Sequence, residues 1–403
     1  MSSGQHADVV VVGAGPAGAA TAVLLAEQGL DTVVVDRARF PRPKICGEYL
    51  SPEAARILDR LGVLKNVDAV AAPLRGMRIT APDGRVVTGT YRAVGEWQPY
   101  RQYAMAAPRF AFDNALVDRL RGLPVELLED TRVTDLVMDG RRVAGVEIVT
   151  GTANRRTLRA QLVVAADGRS SVVAQRLACR SEHRLRRMAL VTYVTGLSDC
   201  REWGEIFVDP PDYAILNPVA PDRVNLSVVV PLGDARPYSQ RLEQFLAARV
   251  RQMPHLAARL AGATRVEPVR AMGPLAYRVR PPREAGVLFV GDAAGFYDPF
   301  TGEGVFAALR GAELLADVAG RALRRGAVTL ETLAVYEQAR AEAFRAKAVL
   351  TRVLQAVIRR RWAANAVART LARRPDVLDT VMGVIGDFVP PTALVRALCA
   401  DRT

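Results

Sequence analysis

The strongest constraint on the fold lies in the first 37 residues. An apolar run at 9–12 is typical of a strand that is buried on both faces. It is followed by the pattern G-x-G-x-x-G at 13–18, an alanine-rich segment and a second apolar run at 32–35 that ends at Asp36. This order predicts a βαβ unit with a phosphate-binding turn at the start of its helix.

Each glycine of that turn has a predicted task. Gly13 permits the tight turn, Gly15 lets a pyrophosphate approach the backbone, and Gly18 lets the helix pack closely on the strand. Asp36 is placed to hold the hydroxyls of a ribose. Because strand, glycines, helix, second strand and acid occur in this order, a dinucleotide site is favoured over a glycine-rich turn in an ordinary βαβ unit.

The composition predicts a globular protein large enough for two or three lobes. The chain has 403 residues, of which 50% are hydrophobic and 24% charged. The net charge is +13, but the arginines are spread along the chain and no nucleic-acid-binding motif occurs, so nucleic acid is not an expected partner. Four scattered cysteines, three scattered histidines and the lack of a signal-peptide pattern predict a cytoplasmic protein without a metal site.

The order of strands and helices predicts an α/β fold with a discontinuous Rossmann-like nucleotide-binding domain. Buried strands at 162–166 and 287–290 end in Asp-Gly and Gly-Asp respectively, and a strand-rich stretch lies between them. The predicted nucleotide-binding domain comprises 1–75, 104–180 and 266–330. The inserted mixed-sheet substrate domain comprises 76–103 and 181–265, and a C-terminal helical cap comprises 331–403.

Three motifs together resemble the FAD-dependent aromatic hydroxylase superfamily, most closely its geranylgeranyl-reductase-like and halogenase-like branches. They are the turn and acid at 13–36, VVAADGRSS at 163–171, and GDAAGFYDPFTGEGVFAA at 291–308. A fourth stretch, RFAFD, begins at Arg109. The resemblance runs from about residue 7 to about residue 330.

The resemblance implies that FAD is the cofactor. The residues expected to bind it are Gly13, Gly15, Ala17, Gly18, Asp36, Arg37, Arg42, Cys46, Arg109, Val133, Asp167, Gly168, Gly291, Asp292, Pro299, Gly302, Gly304 and Val305. Backbone N–H groups around Gly302 to Gly304 are expected to face the N1–C2=O edge of the flavin and to stabilise its reduced, anionic form. Arg109 either clamps the phosphates or ribose or is a surface residue, and Asp167 can brace the pyrophosphate, cap a helix, or do both.

Catalytic and substrate-binding candidates lie in two other regions. Under the resemblance, the loop at 44–48 approaches the flavin, so the catalytic candidates are Cys46 and Glu48, together with Pro299. Alternatively, the cysteine is an inert member of an ordered loop. The substrate candidates are Tyr91, Trp97, Tyr213 and Asn217, the first two within an aromatic patch that also contains Tyr100 and Tyr103.

Departures from the family pattern narrow the expected reaction. Halogenases carry W-x-W-x-I-P and a catalytic lysine, whereas this chain has no lysine between Lys65 and Lys347, which excludes halogenation. The stretch YAILNP at 213–218 replaces the Y-x-W-x-F-P of geranylgeranyl reductases, which argues against a long isoprenoid. The leading hypothesis is therefore a monooxygenase that uses NAD(P)H and O₂ on an aromatic or lipophilic small molecule.

The alternatives to a monooxygenase are a reductase of carbon–carbon double bonds and a flavoprotein that transfers electrons to a quinone. Because no second G-x-G-x-x-G occurs, NAD(P)H would bind only transiently.

A C-terminal helix is predicted to be amphipathic. Its apolar stripe consists of Val349, Leu350, Val353, Leu354, Val357 and Ile358, and arginines at 352 and 359–361 lie opposite. Such a helix either rests on a membrane surface or packs its apolar stripe on its own domain. The sequence leaves the oligomeric state open.

Overall fold

A computed structural model describes residues 5–151, 154–238 and 240–400. The predicted domain ranges also include 1–4, 152–153, 239 and 401–403, which lie outside the described residues. The strands are β1 Gln5–Val12, β2 Thr32–Val35, β3 Tyr49–Leu50, β4 Ala72–Leu74, β5 Gly76–Thr80, β6 Val86–Thr90, β7 Ala104–Ala106, β8 Val125–Leu128, β9 Thr131–Asp139, β10 Arg142–Thr150, β11 Asn154–Ala165, β12 Arg180–Glu182, β13 Arg187–Thr195, β14 Trp203–Asp209, β15 Asp212–Ala220, β16 Arg223–Pro231, β17 Thr264–Arg265, β18 Arg270–Met272, β19 Tyr277–Val279, β20 Val287–Phe289 and β21 Gly295–Phe296.

The helices alternate with these strands in the first half of the chain and dominate its last quarter. They are α1 Pro16–Ala26, α2 Pro52–Arg60, α3 Leu64–Asp68, α4 Arg109–Arg121, α5 Val172–Arg176, α6 Leu232–Ala235, α7 Leu242–Gln252, α8 Pro254–Arg259, α9 Gly304–Arg324, α10 Leu330–Ile358, α11 Arg361–Arg373, α12 Pro375–Ile385 and α13 Thr392–Cys399.

One sheet forms the predicted nucleotide-binding domain. Within the described residues its order is β8-β2-β1-β11-β10-β9, with β20 beside β11. Strands β8, β2, β1, β11 and β20 are mutually parallel, so their carboxyl ends meet at one edge. Gly13, Asp36, Asp167 and Asp292 all lie just beyond those ends. In open α/β sheets this edge is where ligands bind.

Helix α1 packs between this sheet and helices α4 and α9. All of its residues are buried, so the alanine-rich composition serves close packing on every side. Gly18 is required there, because an added Cβ would lie 1.8 Å from the carbonyl oxygen of Gly13. The local sequence thus dictates how closely the helix approaches the first strand.

A second sheet lies largely within the predicted substrate domain. Its order is β17-β13-β16-β15-β14-β5-β6, with β18 also paired to β13. One face packs on α7 and α8 through residues such as Leu226 and Phe245. The opposite face carries Val191, Ile215 and Val229 towards the sheet edge described above and the C-terminal helices. Strand β18 belongs to this sheet although it lies beyond residue 265, where the predicted substrate domain ends; the remaining boundaries stay predictions.

The apolar stripe of the C-terminal helix packs on the chain's own domain only in part. In α10 the buried positions near this end are Lys347, Thr351, Gln355 and Ile358, whereas Val349 and Val353 are 48% and 53% exposed. The helix is oriented by polar contacts: the Lys347 ammonium pairs with Asp387 and lies 3.7 Å from the Glu303 carboxylate, and Gln355 accepts a hydrogen bond from Arg187. Within the described residues, no helix has the length and apolarity needed to cross a bilayer.

Candidate active site

A cavity of about 620 Å³ follows the carboxyl edge of the first sheet and continues beneath the second sheet. At one end it is lined by Gly13, Asp36 and Arg37, and at the other by apolar side chains of the second sheet. The two halves meet at the loop 44–48 and at the start of α9. An elongated ligand can therefore occupy the first half while a second molecule occupies the apolar half.

The glycine turn leaves space beside the backbone. Gly13 has φ +101°, and Gly15 precedes α1 with open space beside it: an added Cβ would meet only the Arg42 guanidinium, at 3.7 Å. Asp36 accepts hydrogen bonds from the backbone N–H groups of Ala14 at 2.7 Å and Ala38 at 2.8 Å, which hold its carboxylate at the cavity. These features fit the pyrophosphate and ribose of FAD.

Basic side chains gather where the pyrophosphate would lie. Arg42, Lys44 and Arg109 line the cavity, and burial together with the two arginines lowers the pKa of Lys44. Arg109 is only 8% exposed and forms a bidentate ion pair with Asp113, at 2.6 and 2.8 Å, so it is not a surface arginine. The three cations face two acids, Asp113 and Asp292, so a net positive charge remains, which suits the negatively charged pyrophosphate.

Two aspartates at strand ends border the same region. Asp167 accepts a hydrogen bond from the Val172 N–H at 2.7 Å, which caps the start of α5, while its other carboxylate oxygen is buried without a hydrogen-bond partner among the described residues. Burial raises the pKa of Asp292, against the opposing charges of Lys44 and Arg109. Both aspartates line the cavity, as do Val133 and Gly168, so each can reach a ribose, ribityl or phosphate group.

The start of helix α9 forms the other border of the cofactor region. Pro299, Gly302, Gly304 and Val305 line the cavity there. Gly302 has φ +70°, and an added Cβ would lie 2.6 Å from the ring of Tyr49. Because the N-terminus of a long helix carries positive partial charge, this turn fits the negatively charged edge of a reduced flavin ring.

Two glycines from the expected cofactor set, Gly18 and Gly291, pack closely against neighbouring atoms and do not line the cavity. Gly18 lies behind the turn, where it packs helix on strand, and Gly291 has φ +60° with an added Cβ placed 2.7 Å from Ala17. Neither lines the cavity, whereas Ala17 itself does. Glycine is therefore needed at these two positions because a larger side chain would clash with neighbouring atoms.

Glu48 is the main polar group at the junction of the two halves. It is 1% exposed and accepts hydrogen bonds from the Tyr193 hydroxyl at 2.6 Å, the Arg109 N–H at 3.0 Å and the Asn225 amide at 3.2 Å. Burial raises its pKa, against these hydrogen bonds. The Cys46 thiol beside it accepts a hydrogen bond from the Glu48 N–H at 3.3 Å, and both residues line the cavity.

Polar side chains of the second sheet anchor this loop. The Asn217 amide donates to the Gly47 carbonyl at 2.7 Å, and the Asn225 amide donates to the Cys46 carbonyl at 2.9 Å. The Ser227 hydroxyl in turn donates to Asn225 at 2.9 Å. Asn225 and Ser227 were missed by sequence reasoning, although polar residues at alternate positions of an otherwise apolar strand are a detectable signal.

The predicted aromatic patch does not line the cavity. Tyr91 is buried and its hydroxyl lies 2.9 Å from that of Tyr49, while Trp97 pairs its backbone with Val94. Tyr213 donates to the Asp298 carboxylate at 2.6 Å. These contacts hold the three predicted residues in packing positions outside this cavity. The side chains that do form the wall, apart from Asn217 and Ser227, are mostly aliphatic: Met77, Ala189, Val191, Ile206, Ile215, Val229, Met272, Leu275, Phe296, Phe300 and Ile385.

Comparison with curated proteins finds reductases among the relatives. The chain is 29% identical to the menaquinone reductase of Mycolicibacterium smegmatis, over 78% of this chain and 76% of the relative. It is 27% identical to the digeranylgeranylglycerophospholipid reductase of Methanosarcina acetivorans, over 82% and 79%. It is also 26% identical to the conditioned medium factor receptor 1 of Dictyostelium discoideum, over 76% of this chain and 62% of that receptor's length.

Solved structures share the whole architecture. The flavin-dependent brominase Bmp2 superposes with a TM-score of 0.84 over 98% of each chain at 21% identity, which shows a common fold. PqsL from Pseudomonas aeruginosa, described as a probable FAD-dependent monooxygenase, has a TM-score of 0.73 at 25% identity, over 90% of this chain and 99% of its own.

The sequence profile of the FAD binding domain family matches residues 6–352, which is most of the chain. The match spans the glycine turn, the two strand-end aspartates and the start of α9, the features that fit FAD in the cavity. The chain therefore belongs to the FAD binding domain family and is an FAD-dependent oxidoreductase of the aromatic hydroxylase superfamily.

Proposed function

We propose that this protein is an FAD-dependent reductase that adds hydrogen across a carbon–carbon double bond of a lipophilic molecule. The observation that carries the proposal is a buried acid, Glu48, at the border between the cofactor region and an aliphatic chamber. Reduction of an alkene needs a hydride at one carbon and a proton at the other, and such an acid is suited to supply the proton.

The position of the cofactor region, of Glu48 and of the aliphatic wall suggests a separate role for each in the proposed reaction. Bound FAD in its reduced form supplies the hydride equivalent, and a two-electron donor of the nicotinamide class restores it. Glu48 transfers a proton to the second carbon of the double bond, so the substrate gains two hydrogens. The aliphatic wall binds the substrate and excludes water, and the anchored loop 44–48 keeps the carboxyl at a fixed place.

Tyr193 supports Glu48 as a source of protons. Its hydroxyl is 2.6 Å from the Glu48 carboxylate, and its ring is covered on one face by the Arg223 guanidinium, 4.4 Å from the ring centre. Since the Arg223 side chain is 44% exposed, the tyrosine lies between the chamber and the surface. A proton lost from Glu48 can thus be replaced through the Tyr193 hydroxyl without opening the chamber.

Two further findings favour reduction of a lipophilic substrate. Two of the relatives bear names that describe reduction of lipids, menaquinone and digeranylgeranylglycerophospholipid. In addition, Tyr91 and Trp97, which favoured a flat aromatic substrate, lie outside the cavity. Ile215 and Asn217, the two positions at which the stretch 213–218 departs from the geranylgeranyl-reductase pattern, line it, so the argument against a long isoprenoid still applies. The remaining wall suits an aliphatic or prenylated molecule.

A monooxygenase that uses NAD(P)H and O₂ is the second candidate. It is favoured by the similarity to PqsL, which extends over 90% of this chain. The start of α9 serves both candidates equally, because both reactions begin from reduced, anionic flavin. The fate of oxygen therefore distinguishes them.

The test is to incubate the purified protein with NADPH and a panel of phenols and prenylated quinones, once without oxygen and once under ¹⁸O₂. A carbon–carbon double-bond reductase forms, without oxygen, a product that has gained two hydrogens on carbon, at least one of them a non-exchangeable deuterium when the reaction is run in D₂O; a quinol, whose new hydrogens are on oxygen, does not count as this product. A product that forms only with oxygen and contains ¹⁸O would instead assign the monooxygenase reaction and overturn the proposal.

A further inference from the structure

The positive charge of the chain is concentrated in its C-terminal helices. Residues 343–375 contain eight arginines and one lysine but no aspartate or glutamate. This segment alone therefore contributes a charge of +9, compared with a net charge of +13 for the whole chain. Two of these arginines are paired, Arg361 with Asp209 and Arg374 with Asp376. The exposed arginines of the segment that have no carboxylate partner among the described residues are Arg345, Arg352, Arg359, Arg360, Arg369 and Arg373.

Apolar side chains are exposed among these arginines. On α10, Val349 and Val353 are 48% and 53% exposed, on the same helical face as Arg352. Two residues after Arg360, near the start of α11, Trp362 is 71% exposed. The buried polar contacts of Lys347 and Gln355 explain why this face points outward, since they occupy the inner face of the helix.

We propose that this basic and apolar face, defined by Val349, Arg352, Val353, Arg359, Arg360 and Trp362, docks the protein on a membrane surface that contains anionic lipids. Arginines attract lipid phosphates, while exposed valine and tryptophan side chains enter the interface between headgroups and acyl chains. The combination distinguishes a bilayer from a nucleic acid, because phosphate binding alone gains nothing from exposed aliphatic side chains. The inference does not rest on the proposed reaction.

The same helix connects this face to the cofactor region. On the inner side of α10, the Lys347 ammonium lies 3.7 Å from the carboxylate of Glu303, which immediately precedes Gly304 at the start of α9. A helix with its side chains is about 10 Å across. Docking through the outer face therefore places the cavity close to the lipid surface, from which a lipophilic substrate would enter.

The test is co-sedimentation of the FAD-loaded protein with vesicles. One set contains only phosphatidylcholine, and the other contains equal parts of phosphatidylcholine and phosphatidylglycerol. We expect binding to the anionic vesicles, weakened at high ionic strength. Arg359→Glu/Arg360→Glu should weaken it at least about tenfold, and Trp362→Ala should weaken it by about tenfold through lost apolar burial.

A matched control is the double variant Arg155→Glu/Arg156→Glu, which reverses two adjacent exposed arginines on β11, outside the proposed face. It should bind anionic vesicles like the unaltered protein. Equal losses in both double variants, unchanged binding in Trp362→Ala, or no binding to anionic vesicles by the unaltered protein would each overturn the proposal. Tighter binding to duplex DNA than to anionic vesicles would do the same.

Discussion

Replacement of Gly15 by valine should separate cofactor binding from folding. The residue has an extended backbone, with φ −68° and ψ −178°, which valine adopts readily. An added Cβ would meet only the Arg42 guanidinium, at 3.7 Å, so the FAD-free protein has space for the first atom of a side chain. The same space is where the pyrophosphate must approach the backbone.

The expected magnitudes follow from that geometry. Valine is a poorer helix N-cap than glycine, so the FAD-free protein should lose about 1 kcal/mol of stability. The valine side chain should keep the FAD phosphates away from the backbone N–H groups of the turn, and the loss of about two charge-assisted hydrogen bonds would cost roughly 1.5–3 kcal/mol each. The dissociation constant should therefore rise about 100- to 10,000-fold.

The assay is a fluorescence titration of the FAD-free protein with FAD, combined with thermal unfolding of the same sample. Gly18→Ala is the matched control, because its added Cβ would lie 1.8 Å from the Gly13 carbonyl oxygen and 3.1 Å from Ala166. That overpacking should lower the stability of the FAD-free protein by about 3 kcal/mol or more. If Gly15→Val folded and bound FAD as tightly as the unaltered protein, the assignment of this turn to the pyrophosphate would be refuted.

Three further substitutions test the remaining charged groups. Glu48→Gln should lower turnover about 10²- to 10⁴-fold. Because burial raises the pKa of Glu48, the unaltered enzyme should lose activity as the pH rises through that raised pKa. The Glu48→Gln variant should lack this pH dependence. Asp292→Asn should raise the thermal stability of the FAD-free protein, because burial raises the pKa of Asp292 in the folded state. The difference in stability should be absent below the pKa of an aspartate in the unfolded chain and should increase as the pH rises above it. Lys347→Met should destabilise the protein by about 3–5 kcal/mol, measured by denaturant unfolding, because it leaves the buried Asp387 carboxylate and the partly buried Glu303 carboxylate without their cation.

The control for Lys347→Met replaces a lysine in an exposed position. Lys65→Met removes an exposed lysine and should leave the free energy of unfolding within about 0.5 kcal/mol of the unaltered value. Unchanged turnover in Glu48→Gln would remove that residue from the proposed reaction. Equal stability of the Asp292→Asn variant and the unaltered protein from acid to neutral pH would contradict the burial of an ionised carboxylate there.

Local sequence determined the cofactor half of this protein. Strand, turn and helix at 9–26 are specified by residues that neighbour one another in the chain, and parallel strands bring their carboxyl ends to one edge by geometry alone. Gly13, Asp36, Asp167 and Asp292 were therefore placed at one site before any tertiary contact was known.

The substrate half was decided by tertiary structure. Asn225 donates a hydrogen bond to the Cys46 carbonyl across 179 residues of sequence, and Tyr193 reaches Glu48 across 145. Aromatic content alone favoured Tyr91 and Trp97 as a substrate wall. In the structure, these side chains pack in a hydrophobic cluster with α12 and neighbouring strands. The orientation of α10 was likewise set by Lys347, whose partners come from elsewhere in the chain.

The physical reason is the range of the interactions that specify each half. A phosphate-binding turn is stabilised by backbone hydrogen bonds and glycine conformations within one βαβ unit, so its signal is contained in about 30 consecutive residues. A chamber wall depends on which faces of distant strands and helices meet, and the periodicity of an element shows that it has two faces without showing what each one will contact. For that reason the sequence by itself determined the cofactor class and the edge of the sheet that binds it, while only the packed structure decided which side chains surround the substrate and which helical face remains exposed.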